Sequence, residues 1–253
     1  MHMPSTATSM SYRLYSDLAS WWPHVADRDS YALESAVFIR LLDEAAGKKV
    51  ESILELGSGS GMLASHVDTS REVVLTDLSN EMLDVSRTHN PSREHVQSDM
   101  RTMRLNRSFD AVLLQDAVMY LTNPEDLLAA FKTAAAHLEP GGVLLCLPDL
   151  VKEEFQETSM SGGSLGQPAA QLLEWHWDPD PNDHTYRIDM SFLFKHEDGR
   201  METLHEHHEL GLYDRKTYCT LIREAGFELV PAMVYEDIEI PEIFCAVKKP
   251  IER

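Results

Sequence analysis

The sequence predicts an α/β protein built on a mostly parallel sheet with helices on both faces. Two observations carry this. Between residues 50 and 149, short apolar runs alternate with helical stretches, the order of repeated βα units. Further on, Ile188, Met190, Phe192 and Phe194 alternate with Arg187, Asp189, Ser191 and Lys195, which marks antiparallel strands with one buried face.

The first strand is VESILEL (50–56), followed by GSGSG and an expected helix. EVVLTD (72–77) is the second strand, and Ser79 is placed to cap the helix after it. EHVQSD (94–99) is a short third strand and FDAVLLQD (109–116) a fourth. The next helix carries Pro124 in its first turn and ends at EPGG, before the fifth strand VLLCLPD (143–149). Residues 150–170 are polar, with SGGSLGQP expected as a loop or lid, and antiparallel strands follow. A helix over 214–225 is closed by Gly226, and ELVPAMVYED (228–237) and EIFCAVKK (242–249) read as a final antiparallel pair. Four units follow: an N-terminal helical cap (1–49), an α/β core (50–149), an antiparallel insert (150–212), and a C-terminal helix and hairpin completing the core (213–253).

A net charge of −20 argues against nucleic acid as a partner, because such a surface repels phosphodiester backbones. The chain shows no secretion signal and no apolar run of membrane-spanning length. Its three cysteines are scattered in apolar settings, so a cytoplasmic protein with buried thiols is expected.

The glycine loop limits the ligand. A phosphate-binding Walker loop needs Gly-Lys-Ser/Thr, and Gly61 is followed by Met62; neither Ser58 nor Ser60 has the flanking glycines of a hydrolase elbow. Gly57, Gly59 and Gly61 are spaced G-x-G-x-G rather than the G-x-G-x-x-G of dinucleotide sites. Glu55 lies beside the place where a ligand's ammonium group would sit. Asp77, ending the second strand, is where a carboxylate accepts both hydroxyls of a ribose.

ILELGSGSG, LTDLSNEML, VQSDMRTM and FDAVLLQDAVMYL with the helix and EPGGVLL after it resemble, in order and spacing, the motifs of class I S-adenosylmethionine-dependent methyltransferases. The resemblance implies a Rossmann-like class I methyltransferase fold: a mostly parallel seven-stranded sheet, a C-terminal antiparallel hairpin and an antiparallel β insert. That insert is similar to the one in the small-molecule branch, which includes bacterial amino-sugar N-methyltransferases. By this resemblance Glu55, Gly57 and Gly59 hold the methionine part of S-adenosylmethionine and Asp77 its ribose. Leu78 and Met82 flank the adenine, Asp99 accepts from its amino group with Met100 beside the ring, and Gln115 lies near the sulfonium. Tyr15, or Tyr12, is the aromatic that caps the cofactor, although Ser16 separates Tyr15 from Asp17 where relatives have an adjacent Tyr-Asp pair.

Methyl transfer from a sulfonium needs positioning more than covalent machinery, so no catalytic triad is required. Asp116, at a strand end, is the leading catalytic candidate, with His176 and His207 as candidate bases and Tyr120 and Trp175 as walls of the acceptor pocket. In a strand, His205 and His207 point one way and Glu206 and His208 the other. A metal site is not expected. The expected function is methyl transfer to a nitrogen or oxygen of a small molecule, by a monomer or homodimer without nucleic-acid or membrane partners. A nicotinamide-dependent oxidoreductase and a catalytically silent cofactor-binding module are the alternatives.

Overall fold

In the computed structural model, residues 12–231 and 242–250 are described. The chain begins with 3₁₀ turns at Arg13–Tyr15 and Ala19–Trp21, a short helix α1 (Trp22–Val25) and the long helix α2 (Tyr31–Ala46), which stops at Gly47 in the left-handed region, φ +64°. The core sheet follows as β1 (Ser52–Leu56), β2 (Glu72–Asp77), β3 (Glu94–Gln97), β4 (Phe109–Gln115) and β5 (Leu138–Leu147). Helix α3 (Asn80–His89) joins β2 to β3, and α4 (Pro124–Ala136) joins β4 to β5. An antiparallel insert comes next: β6 (Thr158–Gly163), β7 (Ala169–Trp177), β8 (Thr185–Lys195) and β9 (Met201–Gly211). Helix α5 (Arg215–Glu224), β10 (Phe227–Leu229) and β11 (Phe244–Lys248) complete the described fold.

Local chemistry sets the helix starts. Ser79 Oγ accepts the Met82 N–H at 3.0 Å, Asn123 Oδ1 the Asp126 N–H at 2.8 Å, and Asp214 Oδ1 the Thr217 N–H at 2.6 Å. Each cap satisfies a donor that the first helical turn leaves free, worth about 1 kcal/mol.

The large sheet has the order β10-β11-β5-β4-β1-β2-β3, parallel except where β11 runs against both β5 and β10. Its central strands are buried on both faces. Leu54, Val112, Leu144 and Cys146 pack toward α4 and α5, while Ile53, Val73, Leu113 and Leu145 pack toward α2. Strand order reverses between β1 and β4, and the crevice beyond their carboxyl ends is where such sheets bind ligands. The insert forms a separate four-stranded sheet whose inner residues Met190, Phe192 and Phe194 bury Leu14 and Leu18 of the N-terminal strap. Among the described residues, no helix is long and apolar enough to cross a membrane.

The fold matches the expected α/β architecture, with three local departures. The expected helix after the glycines is only a 3₁₀ turn at Ala64–His66. Asp68 Oδ1 accepts the Ser70 N–H at 2.8 Å, a turn that competes with helix and delivers the chain to β2. SGGSLGQP is not wholly a loop, since its first three residues pair with β7 as the end of β6. The expected strand at 228–237 is β10 only to Leu229, and residues 232–237 lie outside the described residues.

Candidate active site

The glycine loop leaves β1 by an abrupt turn in which the N–H groups of Gly57 and Ser58 both donate to the Thr76 carbonyl at 2.8 Å. Gly57 has φ +74°, and a Cβ there would lie 2.2 Å from Ala117 Cβ and 3.0 Å from Met100 Cε. Below Gly61, the Asn90 side chain donates to its carbonyl at 2.8 Å, and Ser86 Oγ lies 2.9 Å from His95 Nε2. Backbone and polar buttress together fix the path of the loop. Ser58 Oγ is buried in this loop without a hydrogen-bond partner.

Two carboxyls flank the loop. Glu55 is 5% exposed, and burial, then the nearby charge of Asp77, pushes it up to about 8. Asp77 accepts the Gly59 N–H through Oδ2 and the Ser79 N–H through Oδ1, both at 2.8 Å, so its position is fixed by the main chain. Met82 is buried beneath Gly59, whereas Leu78 stands exposed on the loop after β2. Asp99 is gripped by Arg101, Nε to Oδ1 at 3.0 Å, and Arg101 continues to Asp126 at 2.8 Å. That guanidinium holds the Asp99 carboxyl below its usual range. Gln115, at the end of β4, reaches Glu34 on α2 at 3.4 Å.

Glu55 has a consequence for stability. Its folded-state value lies above that of an unfolded chain, so the folded protein retains a proton that the unfolded chain has lost. The stabilising contribution is complete below about 4.5 and disappears as pH rises through about 8. Thermal unfolding of the ligand-free wild type is therefore expected to lose ground against Glu55→Gln across that window. A constant difference between the two proteins would contradict the assignment.

The other half of the site gathers at the ends of β4 and β5. Asp116 has φ +40°, unusual for a non-glycine residue, and its N–H is tied to the Leu147 carbonyl at 3.1 Å. Its carboxyl shares a hydrogen bond with that of Asp149 just beyond β5, and burial followed by the proximity of Asp149 raises Asp116 well above the ordinary range. Burial raises Asp149 as well. Two carboxyls joined by a hydrogen bond resist ionising together, so the pair holds a proton between them. The inner face of β7 contributes Glu174 and His176, with His176 Nε2 3.1 Å from Glu174 Oε2, and β8 contributes Tyr186, stacked over His176 at 6.2 Å. From the strap, the Tyr15 hydroxyl meets that of Tyr120 at 2.7 Å, and Tyr120 meets His208 Nδ1 at 2.8 Å.

Of the residues expected from sequence, Asp116 lies within electrostatic reach of Glu55 and Tyr15, Tyr15 bonds Tyr120, and His176 lies near Asp149, so these gather in one region beside the glycine loop. His207 and Trp175 do not. The register puts Trp175, Asp189 and His207 in one row across the insert and His176, Ile188 and His208 in the next. The first row is the outer face: Trp175 is 53% exposed and donates to Glu157, and His207 is exposed near Asp189. Alternation along β9 divides its histidines correctly into two sets, and the inward set is the one holding His208. Sequence reasoning misses Asp149 and Glu174, although Asp149 ends β5 as Asp116 follows β4, the same strand-end signal.

Residues 53–142 match the family model described as a methyltransferase domain. The chain is 27% identical over 183 residues to the dTDP-3-amino-3,6-dideoxy-alpha-D-glucopyranose N,N-dimethyltransferase of Streptomyces fradiae, covering 72% of this chain and 71% of the relative. It is 33% identical over 129 residues to the dTDP-3-amino-3,4,6-trideoxy-alpha-D-glucopyranose N,N-dimethyltransferase of Streptomyces venezuelae, covering 50% and 54%. The sugar N-methyltransferase KedS8 of a Streptoalloteichus species superposes with a TM-score of 0.80 at 21% identity, over 99% of this chain and 100% of that one. That superposition establishes a shared fold.

Proposed function

We propose that this chain is a class I S-adenosylmethionine-dependent methyltransferase that methylates the amino group of a small sugar-like acceptor. The observation that carries the reading is the cluster of Asp116, Asp149 and Glu174 beside His176, with Asp116 and Asp149 at the carboxyl ends of the strands. An amine in water is an ammonium ion, and such a cluster attracts it. A neutral hydroxyl gains no comparable attraction. The relatives are named for amino sugars, which agrees with this chemistry, and they do not favour the nicotinamide alternative.

The residues present fit the cofactor. An acid already desolvated at Glu55, the unpartnered Ser58 hydroxyl and the bare backbone at Gly57 suit a ligand with a cationic amino-acid end. Glu55, Gly57 and Gly59 would hold that end, Asp77 the ribose, and Met82 and Met100 the adenine, with Leu78 at the rim and Gln115 nearest the reacting centre. Asp99 would meet the adenine amino group only by sharing its carboxylate with Arg101. When bound, S-adenosylmethionine supplies an electrophilic methyl group on a positively charged sulfur.

The chain's own residues must then deliver a neutral nitrogen. The Asp116–Asp149 pair, carrying one proton and one negative charge, holds the ammonium in place. Because each carboxyl faces the other's charge, proton affinity at Asp116 is raised, and a carboxylate oxygen of this pair takes a proton from the amine more readily than an isolated carboxylate would. Glu174 and His176 close the site from the insert, and the strap with Tyr15 excludes water. Orienting the nitrogen is expected to supply most of the acceleration, on the order of 7–11 kcal/mol.

The reading is tested by comparing a dTDP-linked 3-amino sugar with its 3-hydroxy counterpart: methyl transfer to the amine is expected, and equal transfer to the hydroxyl would contradict it. For the cofactor half, Asp77→Ala is expected to weaken S-adenosylhomocysteine binding roughly tenfold to a hundredfold, the loss of hydrogen bonds to a charged acceptor. Unchanged affinity in a calorimetric titration would remove Asp77 from the ribose site.

A further inference from the structure

One buried titratable side chain on the inner face of the insert has no part in the chemistry above. His208, on β9, is 1% exposed, and its Nδ1 lies 2.8 Å from the Tyr120 hydroxyl, itself 2.7 Å from that of Tyr15. On the opposite edge of the ring, Nε2 is buried without a hydrogen-bond partner and faces Glu206 Oε1 at 3.7 Å. Glu206 is itself held in place, because its two oxygens accept the backbone N–H groups of Arg13 at 2.5 Å and Leu14 at 3.0 Å. The Tyr12 ring lies against the imidazole with centroids 3.8 Å apart, so the ring cannot turn over freely.

These contacts give the hydrogen bonds a direction. A buried imidazole beside a fixed carboxylate places its hydrogen on the edge facing the negative charge, which is Nε2. Nδ1 is then an acceptor, and Tyr120 must donate to it. A hydroxyl has a single hydrogen, so Tyr120 can only accept from Tyr15. Tyr15 in turn spends its hydrogen on Tyr120 and keeps its lone pairs free, with Asp116, Asp149 and Glu174 near enough to act on it.

We propose that His208, oriented by Glu206, is a positioning residue that polarises the Tyr120–Tyr15 chain so that the Tyr15 oxygen accepts a hydrogen bond from the acceptor's amine. This rests on the amine reading above. The amine needs one N–H anchored and its lone pair left free to attack, and an oxygen committed to accepting provides that anchor. Reversed, the same chain would present a Tyr15 O–H that donates to the lone pair and blocks it. Glu206 also ties this polarity to closure of the strap, because the backbone groups that fix it belong to Arg13 and Leu14.

The experiment reads the tautomer directly. Nitrogen NMR of the whole chain with isotope-labelled histidine, with the His208 signals assigned by their loss in His208→Asn, is expected to show hydrogen on Nε2. Hydrogen on Nδ1 would overturn the proposal. In Glu206→Gln the amide can donate to Nε2, and the tautomer is expected to switch; an unchanged tautomer would remove Glu206 from the role. With the amino-sugar probe, His208→Leu should lower kcat/KM about tenfold, the loss of one hydrogen bond at the reacting group. His208→Asn, which keeps an acceptor oxygen near the Nδ1 position, should recover most of it, and equal loss in both variants would reduce His208 to a packing residue. The tautomer is read without substrate, so a wild type inert toward the amine but with the expected tautomer would overturn the amine reading and, with it, the role given to Tyr15.

Discussion

Asp116→Asn is expected to lower kcat by about 10²–10⁴-fold, the range for removing a group that manages a proton in the transition state, while S-adenosylhomocysteine affinity stays near that of the wild type. The substitution isolates charge from structure. Asparagine tolerates positive φ better than most residues, so the strained backbone at φ +40° and its tie to Leu147 are retained. The amide cannot share a proton with Asp149 as a carboxyl does, and Asp149 then titrates without its partner. Equal losses of turnover and cofactor affinity would instead move Asp116 into the cofactor half of the site.

Gly57→Ala is expected to have the largest effect on folding and on the cofactor together. A side chain at φ +74° carries backbone strain of about 1–3 kcal/mol. The added methyl would also sit 2.2 Å from Ala117 Cβ, an overlap that the chain relieves only by shifting the turn after β4, at a further cost of about 1–3 kcal/mol. Ala117 adjoins Asp116, so the displacement reaches that carboxyl as well. Gly47→Ala is the matched control, since Gly47 has φ +64° but an added methyl there would meet nothing within 4 Å, leaving strain alone. A Gly57→Ala protein with the melting temperature of Gly47→Ala and intact cofactor binding would show that the loop moves at little cost.

Much of this architecture is written in periodicity that sequence reveals directly. The apolar runs at 53–56, 72–77 and 109–115 are strands because their residues are buried on both faces, and a strand so enclosed has no reason to alternate. Asp116 is legible for the same reason, since polarity returns where a buried strand leaves the sheet. Asp149 offers an identical signal at the end of β5. The insert is different. A period of two sorts its side chains into two sets but does not say which set meets the core, because both contain aromatics and histidines. Trp175 looks inward by composition, and only pairing with Asp189 and His207 shows that its row faces out. The missing helix after the glycines has a similar origin: Asp68 closes a turn by a side-chain bond that propensity alone does not weigh against the expected βα unit.

The acidic crevice also bears on the chain's overall charge. A net charge of −20 draws cations toward the protein, and Glu55, Asp116, Asp149 and Glu174 place negative or proton-sharing groups at both ends of the site. The cofactor's ammonium and the acceptor's ammonium are the two cations this arrangement suits.

The most direct measurement is to incubate the protein with S-adenosylmethionine carrying an isotope-labelled methyl group and a dTDP-linked 3-amino sugar, and to identify by NMR the atom that receives the label. The account predicts a labelled methyl on the sugar nitrogen, formed by the wild type and strongly reduced with Asp116→Asn. Label on a sugar oxygen, or none on the sugar while S-adenosylhomocysteine still binds, would contradict it.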